Sequence, residues 1–391
     1  TAGDPLGRMR CKGGFVLVDR KCFQDCKRLV VKVGTSSITY PTGKINLGKM
    51  ELMVRELSDL HNSGRELILV SSGAVGAGIG KLGSTPTSMP QKQAIAAVGQ
   101  GLLMQMYEKL FSEYSKCIAQ VLLTRDCFSN PARYMNSRNT IFALLEYGVI
   151  PIVNENDTVA VEELKFGDND RLSAMVACNA EADLLIVLSD IDGLYDSDPR
   201  QNKGARLISE VSTITEAMEA NSRSRGSSMS SGGMFTKLVA ARMTMANGIP
   251  MVIASSDERD AVRRIAGGEK LGTFFIPHRE SYAPKRQWLA VGSEPRGSLT
   301  VDVGAEEALL RKGKSLLPSG VVRADGEFEV GDVVSIRGLS GRELARGIVN
   351  YTCDETRKIM GRHSSEIAGL LGSCDYEELV HRNNMALLES S

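Results

Sequence analysis

Two lysines occupy positions where a positive charge calls for an explanation. Lys32 interrupts an otherwise apolar run, Arg28–Val33, just before Gly34, and an unpaired ammonium group inside a sheet costs free energy. Lys237 follows a Ser- and Gly-rich segment and opens a predicted helix, where the helix N-terminus attracts anions. An anionic ligand such as a polyphosphate would satisfy both. The alternatives are a structural salt bridge for the first lysine and a solvated first-turn side chain for the second.

Two clusters of Asn and Asp add oxygen-rich side chains. The sequence NEND occupies residues 154–157 after a predicted strand, and GDNDR occupies residues 167–171 at the start of a predicted helix. Such clusters are often ordinary turns. Carboxylates also pair with ammonium groups and metal ions, and amides donate or accept hydrogen bonds. Two clusters at strand ends of one domain therefore also suit recognition of an amine and of magnesium.

Glycine-rich stretches after predicted strands suggest phosphate binding, because backbone N–H groups attract anions. The common fingerprints fail, however. The run GAVGAG at 73–78 lacks the spacing of a dinucleotide-binding loop, and GKS at 313–315 lacks the first glycine of a P-loop. The acidic run at 190–198 lacks the final glutamate of an EF-hand, which argues against calcium. The Ser-, Gly- and Arg-rich segment 222–233 is predicted to be a mobile lid or, alternatively, an idle linker.

Short β-branched runs alternate with longer helical stretches from residue 27 to about residue 256. The strands are expected at 28–33, 66–71, 118–123, 149–153, 184–188 and 249–254, and the helices at 47–60, 90–110, 139–147, 172–182 and 236–246. This alternation predicts an α/β fold in which helices cover both faces of a mostly parallel sheet, a three-layer αβα sandwich. The polar clusters fall at the carboxyl ends of the strands, where open sheets bind ligands.

The pattern changes after residue 272. Short runs separated by glycine-containing turns, with one helical stretch at 305–312, predict a small β-rich domain. The expected boundaries are an N-terminal extension at 1–26, which lacks an apolar run of signal-peptide length, the α/β domain at 27–272, a linker at 273–296, the β-rich domain at 297–380 and a tail at 381–391.

Six ordered motifs resemble the amino acid kinase family. They are VVKVGTSS (30–37), VSSGAVGAG (70–78), VNENDTVA (153–160), KFGDNDRLSA (165–174), SDIDGLYDSDPR (189–200) and SGGMFTK (231–237). LLPSGV (316–321), GDVVSI (331–336) and GRHSSEI (361–367) resemble a PUA domain. The resemblance covers about Arg28–His381. Departures are small: Ser71 and Ser189 stand where threonine is expected, and Phe235 where serine is common.

The resemblance is closest to family members that phosphorylate glutamate. It implies transfer of the ATP γ-phosphoryl group to the γ-carboxylate of L-glutamate, the first step of proline biosynthesis, with Mg²⁺ bound mainly through the nucleotide phosphates and with proline as a feedback inhibitor. A γ-carboxylate is already ionised at pH 7, so the reaction needs no general base. That fits a chain with four histidines, none of them in the six kinase motifs.

The same resemblance assigns roles to individual residues and assigns no protein ligand to a metal. It implies that Lys32, Lys237 and Asp170 are catalytic, that Ser72, Asn154, Asp157 and Asn169 bind glutamate, and that Lys32, Ser189, Asp190, Ser231, Gly232, Gly233, Met234, Phe235, Thr236 and Lys237 bind ATP. Within this set, the lysines suit stabilisation of charge on the transferred phosphoryl group. Asp170 would hold the two lysines in position.

Composition limits the remaining partners. The 391 residues carry a formal net charge of +0, and residues 296–391 contain 12 basic and 15 acidic side chains, which disfavours binding to a phosphate backbone. Eight cysteines without a C-x-x-C pair indicate a reducing compartment, and no apolar run is long enough to span a membrane. We expect a cytoplasmic homo-oligomer, a dimer or a tetramer. A functional coupling to the next enzyme of the pathway stays open.

Three alternatives remain at this stage. Another acceptor, such as N-acetylglutamate, aspartate or UMP, would keep the same fold, although Asp157 favours a substrate with a free α-ammonium group. RNA binding or RNA modification is suggested by the PUA-like segment and disfavoured by its acidic charge. A catalytically inactive regulator is disfavoured because both lysines and both Asn/Asp clusters are intact.

Overall fold

The computed structural model describes residues 19–160, 169–197, 199, 202, 204–223, 233–277, 295–372 and 376–388. These residues form two sheets, one of eight strands and one of five. The eight-stranded sheet carries helices on both faces, and the five-stranded sheet forms a separate C-terminal domain. The expectation of a mostly parallel αβα sandwich followed by a small β-rich domain is confirmed.

The elements follow in chain order. The strands are β1 (Arg28–Val33), β2 (Glu66–Ser71), β3 (Ile118–Leu123), β4 (Ile150–Glu155), β5 (Leu184–Ser189), β6 (Glu210–Val211), β7 (Met251–Ser255), β8 (Thr273–Phe275), β9 (Gly297–Val301), β10 (Val321–Gly326), β11 (Val333–Arg337), β12 (Glu343–Ile348) and β13 (Met385–Leu387). The α-helices are α1 (Thr35–Ile38), α2 (Leu47–Asn62), α3 (Ala74–Leu82), α4 (Met89–Ser112), α5 (Asp126–Ser129), α6 (Pro131–Glu146), α7 (Asn169–Asn179), α8 (Glu216–Arg223), α9 (Met234–Ala246), α10 (Ala261–Ala266), α11 (Val303–Lys312), α12 (Cys353–Ile359) and α13 (Ile367–Leu371).

The large sheet has the strand order β3-β4-β2-β1-β5-β7-β8-β6. Its neighbouring strands are parallel except for β7 and β8, which are antiparallel. Strands β4, β2, β1 and β5 are therefore consecutive neighbours that point the same way. Their carboxyl ends lie along one edge of the sheet, which is where open α/β sheets bind ligands.

The side chains of β1 alternate between two cores. Leu29, Val31 and Val33 pack with residues of α2, α4 and α10 on one face, whereas Val30 packs with residues of α6, α7 and α9 on the other. Successive side chains of a strand point to opposite faces. Lys32 therefore lies on the face of Val30, which is covered by α7 and α9.

Residues outside the predicted bounds 27–272 also pack in the core of this domain. A 3₁₀ helix, Arg20–Asp25, precedes β1. Its Phe23 has no exposed surface and packs edge-on against Phe274 of β8, with ring centroids 5.1 Å apart. The buried Arg20 guanidinium donates to the carbonyls of Ser209 at 2.7 Å and Leu271 at 2.5 Å. The predicted boundaries at 27 and 272 thus leave out core residues at both ends of this domain.

The glycine-rich run at 73–78 is not a loop, as its composition suggests, but mostly the first part of α3. Its glycines permit close packing of α3 on α4. A Cβ added to Gly78 would lie 2.0 Å from the Ile95 carbonyl oxygen, and one added to Gly99 would lie 1.8 Å from the Ala74 carbonyl oxygen. Tertiary packing has therefore overridden the low helix propensity of glycine.

The C-terminal sheet has the order β10-β9-β11-β12-β13 and its own buried core. Strand β13 lies beyond the predicted end at residue 380, and its Met385 is part of that core. This sheet also contacts the larger domain, because Met135 of α6 packs against Val333, Ile348 and Ala386.

Within the described part of the chain, no helix is long and apolar enough to cross a membrane.

Two glycines of α4 provide a matched test of the α3–α4 contact. Gly99 packs directly against α3, whereas Gly101 is exposed and a Cβ added there would have no neighbouring atom within 4 Å. Gly99→Ala should lower the free energy of unfolding by about 1–3 kcal/mol through overpacking. Gly101→Ala should raise it by up to about 1 kcal/mol through helix propensity. Urea unfolding of both variants measures the difference, and equal effects would contradict this packing.

Candidate active site

Side chains from α7, β1 and α9 meet in a buried charged cluster. Asp170, the second residue of α7, has no exposed side-chain surface. Its Oδ1 lies 2.5 Å from Lys32 Nζ and its Oδ2 lies 3.1 Å from Lys237 Nζ, and both lysine side chains are at most 6% exposed. The three residues that the resemblance assigns to catalysis are thus brought together. Lys32 forms an ion pair, as the alternative of a structural salt bridge predicts, but it shares the Asp170 carboxylate with Lys237.

The charge of this cluster does not balance. Two ammonium groups share one carboxylate, so the three side chains carry a net charge of +1 in a buried location. Burial of charge is costly, and an anionic ligand near two ammonium groups lowers that cost. The Ser37 hydroxyl is also buried and has no hydrogen-bond partner among the described residues. A Cβ at Gly34 would lie 3.8 Å from Lys32 Nζ and 3.7 Å from Ser37 Oγ, so bare backbone separates the two groups.

The start of α9 adds helix backbone to this region. Gly233 is its N-cap and has no side chain to accept hydrogen bonds from the N–H groups of the first turn. Thr236 Oγ1 lies 2.9 Å from Asp170 Oδ2. Met234 is buried and Phe235 is half-buried. Ser231, Gly232 and most of the segment predicted to be a lid lie outside the described residues.

Two of the predicted glutamate-binding residues hydrogen-bond to one another. Asn169, the first residue of α7, donates from Nδ2 to Asn154 Oδ1 at 2.8 Å and to the Ser71 carbonyl oxygen at 3.0 Å. Asn154 and Ser71 stand at the carboxyl ends of β4 and β2. Because Asn169 and Asp170 are consecutive, the pair of asparagine side chains and the charged cluster are joined through neighbouring residues of α7.

The other two predicted glutamate-binding residues lie on neighbouring strand ends. Ser72 follows β2, is half-buried and donates its N–H to the Val33 carbonyl oxygen at 3.1 Å. Asp157 is half-buried in the turn after β4. That turn is tied to β3 by the Asn156 N–H, which donates to the Leu123 carbonyl oxygen at 2.9 Å. The polar segment that continues at 161–168 lies outside the described residues.

Ser189 is the last residue of the neighbouring strand β5, on the other side of β1, and Asp190 follows it. Ser189 is buried and donates from Oγ to Asp190 Oδ1 at 3.1 Å, while Asp190 is exposed. The Ser189 carbonyl oxygen accepts from the Ser256 N–H at 2.7 Å, which links β5 to the end of β7. The predicted nucleotide residues of β5 therefore lie on the opposite side of Lys32 from the predicted glutamate residues.

Sequence reasoning missed three residues of this region: Ser37, Gln100 and Tyr107. Gln100 Oε1 accepts from Asn154 Nδ2 at 2.8 Å, and Tyr107 OH lies 2.8 Å from Ser71 Oγ. The two α4 residues are seven positions apart and so share a helix face. A polar pair at that spacing on a long helix is also common on surfaces, so no local pattern distinguishes it. Among the described residues, no group of three or more His, Cys, Asp or Glu side chains could hold a metal ion.

Comparison with known proteins places the chain among named kinases. It matches the amino acid kinase family over residues 27–255 and the PUA domain over residues 297–371. Glutamate 5-kinase of Carboxydothermus hydrogenoformans is 53% identical over 373 residues, covering 95% of this chain and 100% of that protein. Glutamate 5-kinase of Caldanaerobacter subterraneus subsp. tengcongensis is 50% identical over 364 residues, covering 93% and 98%. Among solved structures, carbamate kinase from Giardia lamblia bound to AMP-PNP aligns with a TM-score of 0.48 and 18% identity, covering 65% of this chain and 100% of that one.

Asp170→Asn tests the charged cluster as a structural element. The change keeps the side-chain shape but removes the negative charge that the two buried ammonium groups share, which should lower the free energy of unfolding by about 3–5 kcal/mol. Inorganic triphosphate should stabilise the variant more than the wild type, because the site then carries one more unit of positive charge. Urea unfolding with and without triphosphate measures both effects.

Asp325→Asn is the matched control, because Asp325 pairs with Arg323 on the surface. It should change stability by at most about 1 kcal/mol and should respond to triphosphate as the wild type does. An Asp170→Asn variant as stable as this control would mean that the cluster is not held together by charge.

Proposed function

The chain belongs to the amino acid kinase family, and from this membership we propose that it transfers the γ-phosphoryl group of ATP to the γ-carboxylate of L-glutamate. The product is γ-glutamyl 5-phosphate, and the reaction is the first step of proline biosynthesis. Relatives named glutamate 5-kinase, which this chain covers over nearly their whole length, support the choice of acceptor. The cluster of Lys32, Asp170 and Lys237 is the structural observation that carries the proposal.

The reaction requires electrostatic stabilisation rather than proton transfer. A γ-carboxylate oxygen of glutamate attacks the γ-phosphorus, the bond from that phosphorus to the β–γ bridging oxygen breaks, and ADP leaves. The carboxylate has an ordinary pKa of about 4.3 and is already an anion at neutral pH. The obstacle is the approach of two anions and the charge that spreads over the transferred group.

The two lysines would reduce the repulsion between the two anions and stabilise the charge on the transferred group. Their ammonium groups would contact the phosphoryl oxygens from β1 and from the first turn of α9, while Asp170 holds both at a fixed separation without removing the net positive charge. Preorganised charge in a buried site costs no rearrangement during the reaction. Mg²⁺, bound mainly through the nucleotide phosphates, would neutralise further charge on the β- and γ-phosphates.

The two sides of the cluster suit the two substrates. On the β2–β4 side, Ser72, Asn154, Asp157 and Asn169 offer acceptors and donors for the α-ammonium and α-carboxylate groups of glutamate. On the β5 side, Ser189 and Asp190 would bind ATP. Ser231, Gly232, Gly233, Met234, Phe235, Thr236 and Lys237 would bind it as well. The strand order β4-β2-β1-β5 supports this division, because Lys32 stands on the strand between the two groups.

We also propose that proline inhibits the enzyme at an overlapping site. Proline carries the same α-carboxylate and ammonium groups as glutamate but has no γ-carboxylate, so it cannot accept phosphate. Contacts around Asn154–Val161 and Asn169 would serve either ligand. The segment Asp157–Phe166, most of which lies outside the described residues, is the part of the chain proposed to adjust on binding.

Trapping the product tests the proposed function. Hydroxylamine converts an acyl phosphate to a hydroxamate, so the wild type incubated with glutamate, ATP, Mg²⁺ and hydroxylamine should form γ-glutamyl hydroxamate. Lys32→Ala and Lys237→Ala should each lower kcat by roughly 100-fold or more while the protein stays folded, because each removes a preorganised charge.

Lys27→Ala is the control for these variants. Lys27 is 70% exposed, pairs with Glu66 and precedes β1 at the end away from the cluster. It should keep nearly normal turnover. Absence of hydroxamate from folded wild type that binds ATP would reject glutamate as the acceptor. Normal turnover in folded Lys32→Ala would reject the role given to that lysine.

Proline binding should be competitive with glutamate and nearly independent of nucleotide. In equilibrium binding of labelled proline, added glutamate should weaken the apparent affinity in proportion to its concentration, whereas AMP-PNP should not. Cyclopentanecarboxylate, which has a similar ring but no amine, should displace proline poorly because the acceptors around Asn169 would have no donor. Proline affinity that is unchanged at saturating glutamate would mean that the two sites are separate.

A further inference from the structure

Helix α4 supports the proposed glutamate site through two side chains on one face. Gln100 Oε1 accepts from Asn154 Nδ2 at 2.8 Å, and Tyr107 OH lies 2.8 Å from Ser71 Oγ. Ser71 Oγ uses its one proton to donate to the Ser72 carbonyl oxygen at 3.1 Å. In the contact between Tyr107 OH and Ser71 Oγ, the tyrosine hydroxyl is therefore the donor. Tyr107 is fully buried, and burial raises its pKa above the ordinary value, which keeps this donor protonated.

The orientation of the Asn154 amide follows from the backbone. Asn154 Oδ1 accepts from the Glu155 N–H at 2.9 Å. A backbone N–H can only donate, so the atom facing it must be the oxygen. The amide nitrogen then points to Gln100, which must present its own oxygen in return. Gln100 thus favours one of the two possible orientations of Asn154.

The orientation of Asn169 is fixed in the same way. Its Nδ2 donates to the Ser71 carbonyl oxygen at 3.0 Å and to Asn154 Oδ1 at 2.8 Å. A backbone carbonyl can only accept, so the atom at this position must be the nitrogen. Both amide protons are used within the protein. The carbonyl oxygen of the same amide, Asn169 Oδ1, takes part in neither of these two hydrogen bonds.

We infer that Gln100 is a positioning residue for substrate selectivity, because it holds Asn154 and, through it, Asn169 with a carbonyl oxygen facing the substrate. A ligand group placed against Asn169 must then be a hydrogen-bond donor, which selects the α-ammonium group of an amino acid. Tyr107 supports the other part of the same hydrogen-bond network, which is formed by Ser71 and Ser72. This inference rests on the proposed function, since it concerns recognition of the acceptor in that reaction.

The selectivity arises both from the contact that the α-ammonium group makes and from the unsatisfied oxygen that a ligand without an amine leaves. A dicarboxylate without an amine, such as glutarate, offers no donor to Asn169 Oδ1 and leaves a polar group unsatisfied, and such losses discriminate strongly between ligands. Loss of the Gln100 acceptor removes one of the contacts that hold Asn154, so the Asn154 and Asn169 amides are held less rigidly and the penalty against glutarate falls. Glutamate should lose affinity while glutarate should not.

Gln100→Met tests this, because methionine has a similar length and offers no comparable acceptor. We expect the KM for glutamate to rise about tenfold or more, with kcat and the KM for ATP changed less than about twofold. The inhibition constant of glutarate against glutamate should stay within about twofold of the wild-type value. Gln100→Glu keeps an acceptor towards Asn154 and should restore the KM for glutamate.

Gln105→Met is the matched control, since Gln105 is exposed on the same helix. It should behave as wild type. If Gln100→Met does not fold, Gln100→Ala is measured in its place. Equal loss of glutamate and glutarate affinity, or no loss of either, overturns the inference while wild-type turnover leaves the proposed function standing. A wild type that does not phosphorylate glutamate overturns both.

Discussion

Asp170 has no exposed side-chain surface, and its two carboxylate oxygens contact lysines from two other elements. Because a buried carboxylate without partners is costly, this contact fixes α7 against β1 and α9. The charges of these three side chains sum to +1. The arrangement that stabilises the fold at this edge therefore also prepares it for an anion, and the proposed chemistry uses that property.

The first two residues of α7 serve different neighbours. Successive residues of an α-helix point about 100° apart, so Asn169 contacts β2 and β4 while Asp170 contacts β1 and α9. In the proposed reaction the first would orient the acceptor and the second would orient the lysines around the phosphoryl group. One helix terminus would thus set the relative placement of the two substrates, which is the requirement for transfer between them.

The sequence was sufficient where local patterns decide structure. The apolar run around Lys32 predicted a buried strand, and alternation of strands and helices predicted the layered sheet. It was insufficient where packing overrides propensity, as in α3, whose glycines allow close contact with α4. It also left out the core residue Phe23, and it offered no means of choosing Gln100 from the many polar residues of α4. The partner of a side chain on another element depends on tertiary contacts that no local pattern records.

The proposed reaction requires Lys32 and Lys237 to bind the phosphates of ATP. Titration calorimetry of AMP-PNP and of adenosine against the wild type and Lys237→Met tests this requirement, because the change removes one of the two ammonium groups. AMP-PNP affinity should fall about tenfold or more, as expected for loss of a charge-assisted contact, while adenosine affinity should be unchanged. Equal affinities of the two proteins for AMP-PNP, or an equal loss for both ligands, would contradict it.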